Sequence, residues 1–165
     1  MANRKWLWAL MAAHLVLATT YVIVLPLWGA VPDEPLHYSH IKYVGEFWRI
    51  PLIQNPFRDL REYYFTADPA GTGQYGVPYY WPLAVVFWLT RGLTVTAQQY
   101  VLRAMSVLMG LLVVWLAWRS FELIFAPNLQ YVAPATALVT VWPHRLEFSA
   151  VIYNDVGAIL YTSLA

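Results

Sequence analysis

The chain has 165 residues, of which 60% are hydrophobic, 17% aromatic and only 12% charged, where a soluble domain carries about 25% charged residues. Ten basic and nine acidic side chains leave a formal net charge of +1, too weak a field to hold nucleic acid. Cysteine is absent, which excludes disulfides, Cys-ligated zinc, iron–sulfur clusters and thiol catalysis.

The run Trp6–Trp28 carries no formal charge and is long enough to cross a bilayer, which takes about 20 apolar residues. Arg4 and Lys5 precede it and place the N-terminus in the cytoplasm by the positive-inside rule. A signal peptide has a shorter apolar region and a small-residue cleavage site; Pro26, Trp28 and Pro32 follow here instead, so the segment is read as a retained helix. Residues 29–100 hold six acids, five bases, most of the prolines and the turn Gly71–Gly76, and form a long external first loop. Inside it Val77–Leu89 is apolar, with Pro78 and Pro82 near its start. Its length suits a juxtamembrane segment better than a span. Val101–Trp118 is the next span, with Arg103 snorkelling at its start. Residues 131–150 make a third, interrupted by Pro143, and residues 156–165 begin a fourth. The expected fold is all-α and integral to the membrane: one domain over 1–165, about four transmembrane helices, and interfacial helices in the first loop. If Val77–Leu89 does not cross, Asp33 and Asp155 share the outer face; if it crosses, they are on opposite faces.

The richest stretch for chemistry is Val31-Pro32-Asp33-Glu34-Pro35-Leu36-His37-Tyr38-Ser39-His40. Asp33 is placed to cap a helix that has Pro35 in its first turn and reaches about Arg49. Leu36, Tyr38, Ile41, Val44, Phe47 and Trp48 give it an apolar side, as expected of a helix lying flat at the interface. Glu34, His37 and His40 share part of the other side. Capping alone would account for Asp33. A divalent cation is the alternative use of Asp33, Glu34, His37 and Asp155, because carboxylates and imidazoles ligate such ions. His14, inside the first span, is read as hydrogen-bonded to a neighbouring helix, and Arg145 and Glu147 as boundary residues reaching for headgroups. No Walker loop, dinucleotide fingerprint, HExxH or GxSxG is present.

These motifs resemble the start of the C-type (GT-C) membrane glycosyltransferases, the superfamily of protein mannosyltransferases and aminoarabinose transferases. A first span is followed by Pro32-Asp33-Glu34-Pro35-Leu36-His37-Tyr38. Val77-Pro78-Tyr79-Tyr80-Trp81-Pro82-Leu83 is similar to the family's juxtamembrane Pro-Pro-Leu-Tyr-Tyr segment. Leu102-Arg103-Ala104-Met105-Ser106-Val107-Leu108-Met109-Gly110 is similar to its Leu-Arg-x-x-Ser-x-Leu-x-Gly span, and Tyr153-Asn154-Asp155-Val156 falls where a second acid stands. Gly76-Val77 replaces the family's preceding His and second Pro. Family members have about a dozen spans, so the chain is expected to be a fragment or a reduced form.

The resemblance implies sugar transfer from a polyprenyl-phosphate donor to an acceptor at the outer, periplasmic-type face. Asp33 would be the base, with Glu34 and Asp155 as catalytic partners. His37, Arg58, Arg61, Tyr79 and Tyr80 would bind substrate. No cofactor is required beyond a divalent cation, if one is used. The expected partners are the lipid bilayer, the lipid-linked sugar, other membrane subunits or the rest of the family fold, and no nucleic acid. The rival is a non-catalytic transmembrane accessory subunit of a larger complex, in which the acids are caps and interfacial contacts. A third reading is a transporter fragment with His14 and the loop acids on an ion path.

Overall fold

A computed structural model describes residues 3–27, 33–49 and 79–164. All regular structure among them is helical. Helix α1 (Arg4–Val24) starts at Asn3, whose side chain accepts the Lys5 amide at 3.1 Å. Helix α2 is Glu34–Phe47, α3 is Tyr80–Leu89 and α4 is Val95–Ile124, the last capped by the Thr94 hydroxyl on the Ala97 amide at 3.3 Å. A 3₁₀ turn, Leu129–Tyr131, leads into α5 (Val132–Val141), α6 (Pro143–Ala150) and α7 (Asn154–Leu164).

The packing traces the path of the chain. Leu7 at the start of α1 meets Trp118 late in α4 and Val132 at the head of α5. Ala18 and Val22, late in α1, meet Val107 early in α4 and Leu146 and Ala150 of α6. Helix α4 therefore runs antiparallel to α1, and α5 and α6 together return alongside both. The return leg breaks at Trp142, extended at φ −61°, ψ 116°, where Pro143 opens the next helix and withdraws one amide donor. Thr136 and Thr140 satisfy their hydroxyls on carbonyls one turn back, both at 2.8 Å. Helix α7 turns back along α4, with Val156 and Leu160 in the cluster that holds Met109 and Val113.

Helices α2, α3 and the first turns of α4 stand beyond the end of α1. Tyr38 of α2 donates to Gln98 of α4 at 2.8 Å, and Gln98 donates to the Thr90 carbonyl after α3 at 3.0 Å. Helix α3 is about 15 Å long at 1.5 Å per residue, half of a bilayer's hydrocarbon thickness.

Two helices, Arg4–Val24 and Val95–Ile124, are long and apolar enough to cross a membrane. Helix α1 faces outward with Trp8 at 66%, Val16 at 65% and Val24 at 72% exposure. This is not the buried core helix of a soluble domain. Two expectations change. Helix α2 does not keep one wet side: eleven of its residues, from Glu34 to Gly45, are buried, because α3 and α4 cover the side that holds Glu34, His37 and His40. The helix after the loop also begins earlier than residue 101, at Val95.

Candidate functional site

The acids gather where α1 ends, α2 begins and α7 begins. Asp33 is the residue before α2, with φ −91° and ψ −5°, and its side chain makes no cap hydrogen bond. Its main-chain carbonyl accepts from the His37 amide at 3.0 Å. Capping thus does not use this half-buried carboxylate among the described residues.

Glu34 is the opposite case. It is wholly buried and faces the equally buried Arg103 of α4. Arg103 Nε donates to Oε1 at 2.8 Å and Nη2 to Oε2 at 2.6 Å, a bidentate fork. Nη1 also donates to the Val22 and Leu25 carbonyls at 3.2 and 3.0 Å, and Nη2 to Pro26 at 3.0 Å. All five N–H groups of the guanidinium therefore have acceptors, three of them at the C-terminal end of α1. The Ile152 amide completes the junction with a 3.1 Å bond to Glu34 Oε1. Arg103 does not snorkel to the surface; its charge is balanced where it sits.

Ile152 precedes α7, whose first turn holds Asp155, half-buried. Tyr79 stands at this junction, fully enclosed. Burial pushes its phenol upward, and the charges of Glu34 and Asp155 push the same way, so it stays protonated. Ser106 and the main chain of Tyr153 lie nearest the phenol oxygen without meeting hydrogen-bond geometry. A methyl at Gly157 would overlap the Tyr79 ring, so glycine is what admits α7 to this place.

His37 is buried one turn into α2. Its Nδ1 lies 2.8 Å from the Tyr80 hydroxyl, and its ring meets Tyr153 edge-on at 4.9 Å. Burial, and then the neighbouring His40, hold its pKa down at about 3, so it is a neutral imidazole. His40 stacks on the Tyr80 ring at 3.9 Å and 10°. Tyr79 and Tyr80 are 3% and 0% exposed and present no ring face to the surface. Arg58 and Arg61 lie outside the described residues. Among the described residues no three His, Asp or Glu side chains converge as metal donors. Glu34 is committed to Arg103 and His37 to Tyr80, so the four residues named for a divalent cation do not form a donor set here.

Beyond the acids, α2, α3 and α4 enclose a cleft of about 540 Å³ lined by Lys42, Glu46, Trp88, Arg91 and Gln98. None of Asp33, Glu34 or Asp155 lines it. Arg91 lies over the Trp88 ring at 5.1 Å. A second buried polar group sits half-way along the bundle. His14 has no hydrogen-bond partner at either ring nitrogen among the described residues, although the Thr140 main chain comes near. Arg145 donates to the Gly110 carbonyl at 2.9 Å and to Val139 at 3.1 Å. The expected cross-helix bond of His14 is not made among the described residues, and Arg145 turns inward to the Val139 carbonyl, which the Pro143 break frees, and to Gly110 of α4.

Arg103 is the residue that the reading of the sequence undervalued. An arginine inside an apolar run needs a partner, and Glu34 is the acid at the matching end of the first helix. No family model matches the chain, and neither a curated protein nor a solved structure matches it.

Proposed function

We propose that the chain is a membrane-embedded glycosyltransferase-like protein that moves a sugar from a polyprenyl-phosphate donor to a hydroxyl acceptor at the outer membrane face. Helices α1, α4, the α5–α6 leg and α7 would be its four crossings. The N-terminus would be cytoplasmic, with α2 and α3 at the outer surface. The observation that carries this reading is the division of labour between two adjacent acids. Glu34 is locked onto Arg103 and Ile152, which fixes the start of α2 against the start of α7. Asp33, next to it, keeps a carboxylate that makes no cap hydrogen bond and no ion pair among the described residues. Asp155, half-buried in the first turn of α7, belongs to the same junction through Ile152 and Tyr79.

In the reaction Asp33 takes the proton of the acceptor hydroxyl as that oxygen attacks the anomeric carbon. The bond from that carbon to the lipid-phosphate oxygen breaks, and the phosphate leaves with the electron pair. Asp155 orients the acceptor. The departing phosphate would need positive charge, for which Arg58, Arg61, Lys42 and Arg91 are the candidates; Lys42 and Arg91 line the neighbouring cleft rather than the acid junction. No step uses a metal. A general base contributes about 10²–10⁴-fold. Asp33→Asn and Asp155→Asn, in the full-length protein in nanodiscs, should each lower transfer from polyprenyl-phosphate sugars by that order. Folded yield should hold, because Asn serves at a helix start as well as Asp. Wild-type turnover in either variant would remove that acid from the site.

The accessory-subunit reading draws on a specific observation too: Glu34, His37, Tyr79 and Tyr80 are all spent on internal packing. If it holds, no polyprenyl-phosphate sugar supports transfer and neither Asn substitution changes assembly with the larger complex.

A further inference from the structure

At the opposite end of the bundle, Arg4 opens α1 and Arg119 lies in the last turns of α4. Helix α1 is about 32 Å long, close to the thickness of bilayer hydrocarbon. Arg103 sits at the level of Val22–Pro26, and Arg119 is about 24 Å further along α4. This brings it back to the level of the first turns of α1. Both arginines therefore stand at one boundary of the apolar zone. Between them the helices part into a cavity of about 370 Å³, lined by Leu7, Trp8, Trp115, Trp118 and Glu122 besides the arginines. Leu7 and Trp118 form its floor at 6% and 1% exposure, and Trp8 and Trp115 its rim at 66% and 43%.

Charge decides what such a cavity takes. Glu122 pairs with Arg119 at 2.8 Å, but the carboxylate is the hidden member, 14% exposed against 54% for the arginine. The mouth thus presents guanidinium groups from two helices, with exposed Lys5 beside them. Indole rings at the rim suit the headgroup level, where amphipathic rings settle, and basic pockets between membrane helices take anionic headgroups. We propose that this cavity binds the headgroup phosphate of an anionic phospholipid, the acyl chains lying along the outward apolar face of α1. The inference rests on the membrane placement of α1 and α4 and is independent of sugar transfer.

The test uses the full chain in a neutral detergent, with native mass spectrometry counting bound lipid. Phosphatidylglycerol and phosphatidylcholine with identical acyl chains are the probes. Phosphatidylglycerol should bind at least fivefold more tightly, about fivefold being what one arginine gains beside an anionic headgroup. The double variant Arg4→Gln/Arg119→Gln should bring the two lipids level. In the unaltered protein the preference should also fall between 0.1 and 1 M salt, as the Debye length shortens to about 3 Å; this arm stands even if the variant does not fold. Equal binding of the two lipids, or a preference that survives high salt, overturns the proposal. Displacement of phosphatidylglycerol by equimolar inorganic phosphate overturns it in favour of a free-anion site. A variant that alters the monomer–dimer ratio but not the lipid count overturns it in favour of a contact between copies.

Discussion

The molecule holds two arginines among its helices, Arg103 buried and Arg145 half-buried, and their surroundings differ. Where α1 ends and α2 and α7 begin, every donor of Arg103 meets an acceptor, two of them the oxygens of Glu34. At mid-bundle Arg145 has only main-chain carbonyls as acceptors, and its neighbour His14 has no hydrogen bond among the described residues. The first arrangement neutralises a charge and ties four separated stretches of chain together. The second meets the polar needs of a broken helix and holds α1, α4 and α6 close around Gly110, where a methyl would lie 2.5 Å from His14 Nε2 and 2.7 Å from Ser149 Oγ. Burial alone does not say whether a polar residue anchors a fold; the completeness of its partners does.

The largest effect expected from that contrast is at Glu34. Glu34→Leu leaves Arg103 buried without its counter-ion and should cost about 3–5 kcal/mol, read as a large drop in the detergent unfolding midpoint. Glu34→Leu combined with Arg103→Leu should recover part of the loss, since the stranded charge is gone. A single variant as stable as wild type would mean that the junction is not the anchor. Next comes Gly110→Ala, expected to cost about 1–3 kcal/mol through overpacking by the same measurement. A neutral result would show that His14 and Ser149 can move aside.

His37 gives a pH test of the satisfied region. Its pKa is held at about 3 against 6.5 for an exposed histidine, so the unfolded chain takes up a proton there before the folded one does. Stability should be complete above pH 6.5 and decline as pH falls from 6.5 toward 3, by up to about 1.4 kcal/mol per pH unit. His37→Phe should flatten that slope, and an unchanged slope would assign the acid loss to other groups. The smallest effect belongs to His14→Leu. Removing two ring nitrogens that have no hydrogen-bond partner among the described residues should cost nothing and can gain about 1 kcal/mol. A loss comparable with that of Glu34→Leu would show that His14 is bonded after all.

Apolar runs and prolines were enough to read the all-helical class, a helix at the start of the chain, α2 beginning at Asp33 and the break at Pro143. These are local properties of spacing and backbone restriction. The site was legible only as a set of acids near helix starts. That Asp33 and Glu34, neighbours in sequence, have opposite fates was not legible. It depends on Arg103 and Ile152, which meet Glu34 only through packing. His37 and His40 looked like one polar side of a surface helix, because periodicity marks a helix side but not what covers it. Arg145 was misjudged for the same reason: one acceptor, Val139, is freed by the Pro143 break, and the other, Gly110, meets it only through packing against α4.

The Glu34–Arg103 pair joins positions 69 residues apart, and the Ile152 bond spans 118. The junction therefore closes only when four distant stretches of chain have met. Arg103 needs the Glu34 carboxylate from α2 and the Val22, Leu25 and Pro26 carbonyls from the end of α1. Ile152 then seats the start of α7 on that pair. Separating the first two helices from the rest would leave α4 with a buried cation that has lost its counter-ion.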